Sequence, residues 1–229
     1  MDHMEHELKK EFQLERMILF SDAVFAIAIT LLILEIKVPE LRENISDNSL
    51  LHALGQLFPK FLGFIISFWV IGLYWTIHHA IFGFVVNYNR KLLWLNLAFL
   101  LTIVTMPFST GFYSEYSGSV LFEKQLKVPM IFYVTNICAT GILNFLLWNY
   151  ISNPANKLAQ KIPGGGFIQL AKARSLIVPL AFLLMLPVAY FIKVNYAVFM
   201  PSFIPFYMAI TKKYFAKKYK TKNRPVHHN

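Results

Sequence analysis

The chain has 229 residues, 56% of them apolar and 16% aromatic, with a formal net charge of +10 and a mean hydropathy of +0.49. Soluble domains carry roughly 45–50% apolar residues. Here the charges are clustered and the runs between them are nearly free of charge, which excludes a soluble enzyme and fits helices that are apolar all round, as lipid requires.

Residues 1–15 carry Lys9 and Lys10 against Asp2, Glu5, Glu7, Glu11 and Glu15. A secretory leader begins with positive charge and has a short apolar core, so this acidic start reads as a cytoplasmic N-terminus and not as a signal peptide. A spanning helix needs about 20 apolar residues, and six segments qualify. The first runs from Met17 to Val38, before Pro39. The second runs from Phe58 to Ile77, with Pro59 in its first turn, where a missing N–H costs little. The third covers Leu92 to Phe112 and is interrupted by Pro107; the fourth covers Val128 to Tyr150. The fifth, Leu176 to Ile192, contains Pro179 and Pro187, and the sixth, Tyr196 to Ile210, contains Pro201 and Pro205. Only Lys193-Val194-Asn195 separates the last two, which gives either a tight helical hairpin or one bent element with five spans in all.

With the N-terminus inside, the inner segments hold three, two, four and seven Lys/Arg, sixteen altogether, against six outside, accounting for the 22 in the chain. The excess of basic residues inside places both termini in the cytoplasm. The predicted fold is thus an all-α membrane protein: a cytoplasmic N-terminus (1–15), a six-helix membrane domain (16–210) and a basic tail (211–229). Pro163 to Gly166 reads as a flexible inner loop. In the tail, seven basic residues between Lys212 and Arg224 are interleaved with Tyr214, Phe215 and Tyr219. Anionic lipid at the membrane surface is its expected partner, and nucleic acid is not.

The first segment carries more than lipid-facing residues. Asp22 lies inside the apolar run, where a carboxylate must find a partner or water. Arg16 lies two turns earlier, and Trp75, His78 and His79 close the second segment at a similar depth, so a cluster of Arg16, Ser21, Asp22 and one histidine is expected. Spacing cannot choose between the histidines, because adjacent residues point about 100° apart. The cluster reads as a clamp between two helices or as a proton or cation site. Deeper in the segment, Ile27, Thr30, Leu31 and Leu34 share one helical face near mid-membrane. Such a stripe packs against lipid or another helix, or lines a symmetric pore.

Arg16-Met-Ile-Leu-Phe20-Ser21-Asp22 and the apolar run after it resemble the first-helix signature of the transmembrane protein 175 family: Arg, three variable residues, then Phe-Ser-Asp. Members are endosomal and lysosomal potassium channels in animals, with shorter prokaryotic relatives. The resemblance implies a homotetramer in the cell membrane of a prokaryote, with the first helices lining the pore and no re-entrant filter; the chain indeed lacks a Thr-Val-Gly-Tyr-Gly loop. It implies a hydrophobic constriction at Ile27, further narrow rings at Leu31 and Leu34, and a hydroxyl ring at Thr30 contacting K⁺. Arg16, Phe20, Ser21 and Asp22, with Trp75, His78 and His79, would hold the pore helix from behind. The activity implied is a potassium channel, weakly selective over sodium and open to a proton leak.

Two other functions are weighed. A secondary transporter would use Asp22 and a histidine as a coupling-ion site, with the prolines of segments five and six as broken helices, although no internal repeat supports it. A membrane enzyme lacks support: only His52, His78 and His79 lie away from the termini, too few for a metal cluster, and no nucleophile–base spacing stands out. Cys138, the one cysteine, sits in an apolar run, so no disulfide or zinc spacing exists and the thiol acts as a small buried hydrophobe. No cofactor or metal is expected.

Overall fold

Among the described residues the first five apolar segments are helical, over stretches longer than the minimum needed to cross a bilayer. The computed structural model describes residues 2–39, 45–116, 127–162, 165–192, 196 and 203–222. Helix α1 spans Asp2–Leu31 and tightens into a 3₁₀ turn at Leu32–Glu35. The short α2 spans Asp47–Gln56, α3 Phe58–Phe82, α4 Arg90–Tyr116 and α5 Val128–Ile151. A 3₁₀ turn at Pro154–Asn156 precedes α6 (Gly165–Leu183), α7 (Met185–Phe191) and α8 (Ile204–Lys222). Among the described residues, five stretches are long and apolar enough to cross a membrane: Lys10–Glu35, Phe58–Phe82, Arg90–Tyr116, Val128–Ile151 and Gly166–Phe191.

Several boundaries differ from the sequence reading. The acidic N-terminus continues the first helix back to Asp2. Helix α2 was not expected; the signal lies in Ser46 and Ser49, whose hydroxyls cap each other's backbone N–H at 3.2 and 2.9 Å. Pro107 does not interrupt α4, which runs through it, while Ser109 and Thr110 bond the Met106 carbonyl at 2.9 and 2.8 Å. Helix α6 begins at Gly165, so Gly165 and Gly166 are helical and Lys172 and Arg174 lie within the helix instead of a loop. The break at Leu184 falls one turn before Pro187, whose ring blocks the bond to the Leu183 carbonyl. The turn at 193–195 and residues 197–202 of the sixth segment lie outside the described residues, as do Pro163 and Gly164. Where description resumes, α8 carries the helix on past Ile210 into the basic tail.

Helix α1 packs on α3 and α4, α4 on α5, α5 on α6, and α6 on α8. At one end of the bundle the α3–α4 and α5–α6 loops are joined: Val86 and Asn87 donate to the Leu158 carbonyl at 2.9 and 3.1 Å, and Gln160 donates to that of Phe84 at 3.0 Å. At the other end Lys60 pairs with Glu115 at 2.6 Å.

Buried side-chain hydrogen bonds join neighbouring helices throughout. Ser67 of α3 bonds Thr110 of α4 at 2.7 Å and Tyr133 of α5 at 2.8 Å. Asn136 of α5 donates to Ser109 of α4 at 3.2 Å, and Ser175 of α6 donates to Asn144 of α5 at 2.5 Å. A close approach occurs where Gly141 of α5 meets α6. A Cβ there would overlap Pro179 and come within 2.7 Å of the Ser175 carbonyl and 2.8 Å of the Tyr74 hydroxyl. Gly141→Ala is therefore expected to cost about 1–3 kcal/mol, as overpacking of a tight contact does. Thermal unfolding in detergent would register this as a lower Tm, while Gly72→Ala, whose new Cβ meets nothing within 4 Å, leaves Tm unchanged or slightly raised.

Candidate functional site

Helix α1 has two unlike sides. Leu14, Met17, Ser21, Phe25, Ala28 and Leu32 are buried against the rest of the chain, spaced three or four residues apart. Ile27, Thr30, Leu31 and Leu34 face away from it, with Ile27 58% and Leu34 69% exposed. The 3₁₀ turn brings residues three apart into line, so Leu34 stands above Leu31. Between Asp22 and Glu35 this side carries no charge, and Thr30 supplies its one hydroxyl. That hydroxyl donates to the Ile27 carbonyl at 2.9 Å and lies 3.1 Å from that of Ala26, which leaves its oxygen lone pairs able to accept.

Behind this face is a chain of buried polar groups. Asn96 of α4 donates through Nδ2 to Ser21 Oγ at 2.9 Å, and Ser21 donates to the Met17 carbonyl at 2.9 Å. The Asn96 Oδ1 then serves as acceptor, so His78, 2.9 Å away, is the donor through Nε2. All three side chains are at most 2% exposed. Aromatic rings enclose the imidazole: Phe82 stacks on it at 4.1 Å, and Phe99 and Phe25 lie at 5.5 Å. A buried polar group is stable when each donor has an acceptor, and this chain leaves none of these three residues unpaired.

Asp22, half-buried beside this chain, accepts a hydrogen bond from Trp75 Nε1 at 2.9 Å, and His79 lies against the Trp75 ring at 5.6 Å. The two histidines thus have different partners. His78 joins the Asn96–Ser21 chain, and His79 supports the tryptophan that holds Asp22.

Arg16 is not part of this cluster. Six residues at 100° each turn it about 120° away from Asp22, and its guanidinium lies 5.9 Å from the Phe12 ring instead. Phe20, 52% exposed, also faces away from the bundle. The signature therefore splits: Ser21 and Asp22 tie α1 to α4 and α3, whereas Arg16 and Phe20 point outward. Asn96 was missed by the sequence reading. An asparagine inside an apolar run was the available signal, because a buried amide implies a partner on another helix.

Asn96→Ala removes both bonds at once and strands the His78 N–H. It is expected to destabilise the fold by about 1–3 kcal/mol. Trp75→Phe, which loses only the bond to Asp22 at the surface, costs less, about 1 kcal/mol or below. Thermal melts of the two purified variants in one detergent test that order.

The sequence profile of the family described as endosomal/lysosomal potassium channel TMEM175 matches residues 16–107, which take in the signature, Trp75, both histidines and Asn96. A potassium channel of Streptomyces collinus is 45% identical over 97 residues, covering 42% of this chain and 46% of that protein. A potassium channel of Chamaesiphon minutus is 35% identical over 155 residues, covering 68% and 74%. The endosomal/lysosomal proton channel TMEM175 of Gallus gallus is 34% identical over 149 residues, 62% of this chain but only 28% of that longer protein. Among solved structures, the crystal structure of a lysosomal potassium-selective channel TMEM175 homolog from Chamaesiphon minutus superposes with a TM-score of 0.70 at 28% identity, over 87% of this chain and 98% of that one. By sequence signature, relatives and fold alike, the chain is a prokaryotic member of the TMEM175 family.

Proposed function

We propose that this chain is one subunit of a homotetrameric potassium channel, weakly selective over sodium, in which α1 lines the pore and Ile27 forms its hydrophobic gate. The observation that carries this reading is the bare face of α1: an uncharged stripe of Ile27, Thr30, Leu31 and Leu34, facing away from the chain on a helix whose opposite side is hydrogen-bonded in place. A stripe that merely met lipid would need no such fixed backing.

Four such helices around an axis put a ring of Ile27 side chains across the path. A narrow ring of aliphatic groups dewets, and a hydrated ion cannot cross it until the helices shift outward or rotate. Leu31 and Leu34 add further narrow rings, and the lone pairs of Thr30 offer oxygen to a partly dehydrated cation. K⁺ loses water at lower cost than Na⁺. Side-chain rings lack a tight backbone cage, so the preference is modest. The subunit has six spans, with both termini and the joined α3–α4 and α5–α6 loops on the cytoplasmic side, where basic residues are concentrated. The basic end of α8 then meets anionic lipid at the inner surface.

Recording purified protein in planar bilayers under bi-ionic K⁺/Na⁺ conditions tests the reading directly. Channel-sized unitary currents reversing toward the K⁺ potential are expected; slow carrier-like flux would defeat it. Ile27→Asn is expected to raise K⁺ current and weaken selectivity, because a polar ring stays wet. Asp22→Ala frees Trp75 and loosens the support of α1, and is expected to reduce the tetramer seen on native gels.

A further inference from the structure

The inner end of the bundle contains a cleft of about 190 Å³ between α3, α5 and α6, lined by Leu73, Ile77, Trp148, Phe167, Leu170 and Arg174, among others. Its walls are otherwise apolar or bear one hydroxyl, Thr76, so the arginine is the one charge in it. No hydrogen bond, ion pair or ring contact holds Arg174 among the described residues, and its Nε is buried without a partner. The indole N–H of Trp148, 1% exposed, is also unpaired. Lys172, two residues earlier, is satisfied by Asn149 Oδ1 at 2.9 Å, so the lack of a partner is specific to Arg174.

The residues that line the cleft supply no counter-charge. Helix α3 contains no Asp or Glu, and no acidic residue occurs anywhere after Glu123, so all three walls lack a carboxylate. Arg174 lies nine residues inside α6, about 14 Å along its axis. A guanidinium among apolar walls needs an anion or access to headgroups. Its planar fork suits a phosphate oxygen pair.

We propose that this cleft is a binding site for an anionic phospholipid of the inner leaflet, its phosphate paired with Arg174 and the start of one acyl chain lying along Leu73, Ile77, Phe167 and Leu170. A cavity of 190 Å³ holds only part of a chain, and the rest continues into the bilayer. Free phosphate shares the headgroup chemistry but gains nothing from the apolar walls. The site lies on α6, away from the α1 face, and the proposal rests on the membrane orientation given above but not on conduction.

Native mass spectrometry of the purified protein titrated with phosphatidylglycerol or phosphatidylcholine tests it. The expected result is one tightly held phosphatidylglycerol per chain. Arg174→Gln should weaken it about tenfold or more, and Lys172→Gln, whose partner is a protein side chain, should leave it unchanged. Ala171→Phe, which keeps the arginine but fills the cleft, should weaken phosphatidylglycerol too, giving a second readout if Arg174→Gln does not fold. Equal binding of the two lipids, equal loss in the Lys172 variant, or the same occupancy from inorganic phosphate alone would overturn the assignment. So would loss of the oligomer in Arg174→Gln without any change in lipid binding, since a neighbouring subunit would then be the arginine's partner. Currents from Arg174→Gln in bilayers keep the two proposals apart: a conducting channel that no longer retains phosphatidylglycerol loses the lipid without losing the pore.

Discussion

In hydrocarbon, burying apolar surface gives helices almost no reason to associate, because lipid tails are as apolar as leucine. What joins this bundle is a series of hydrogen bonds between side chains that have nowhere else to go. Ser21–Asn96–His78 joins α1, α4 and α3; Thr110–Ser67–Tyr133 joins α4, α3 and α5; Ser175–Asn144 joins α6 to α5. Each bond adds little by itself, but an unpaired amide or hydroxyl at the same depth costs more than the bond gains. The polar residues therefore select one arrangement of helices among many of similar packing quality. Gly141 complements them by letting α5 and α6 come close enough for the Ser175–Asn144 bond.

The same bonds explain why α1 is two-sided. Its buried side is anchored twice, through Ser21 to α4 and through Asp22 to Trp75 of α3, while its other side makes no polar commitment to the chain. A helix held in this way keeps its bare face at a defined rotation about its axis. The gate proposed at Ile27 would depend on that, since 100° of rotation replaces Ile27 by its neighbour.

The aromatic enclosure of His78 by Phe25, Phe82 and Phe99 extends this logic. Phe25 comes from α1 itself, so the rings that shape the histidine pocket also pack α1 against α3 and α4. The phenylalanines exclude water from the network, and the network fixes how deeply the phenylalanines insert.

Hydropathy and the Arg16–Asp22 signature were enough to establish a helical membrane protein, the sites of its clear spans and its family. Those properties are local: a run of apolar residues is a span whatever it packs against. Contacts between helices are not local, and here the sequence reading went astray or stopped. It placed Arg16 beside Asp22, where the helical turn carries it away; it could not choose between His78 and His79; it overlooked Asn96; and it put Lys172 and Arg174 in a loop. The Arg16 miss is a matter of helical turn on α1 itself, and the Lys172 and Arg174 miss of where α6 begins. The choice of histidine and the role of Asn96 depend on which residue of another helix lies at the same depth and rotation. Tertiary packing alone decides that, because a side chain's partner is fixed by how two helices meet and leaves no trace in the spacing of either one.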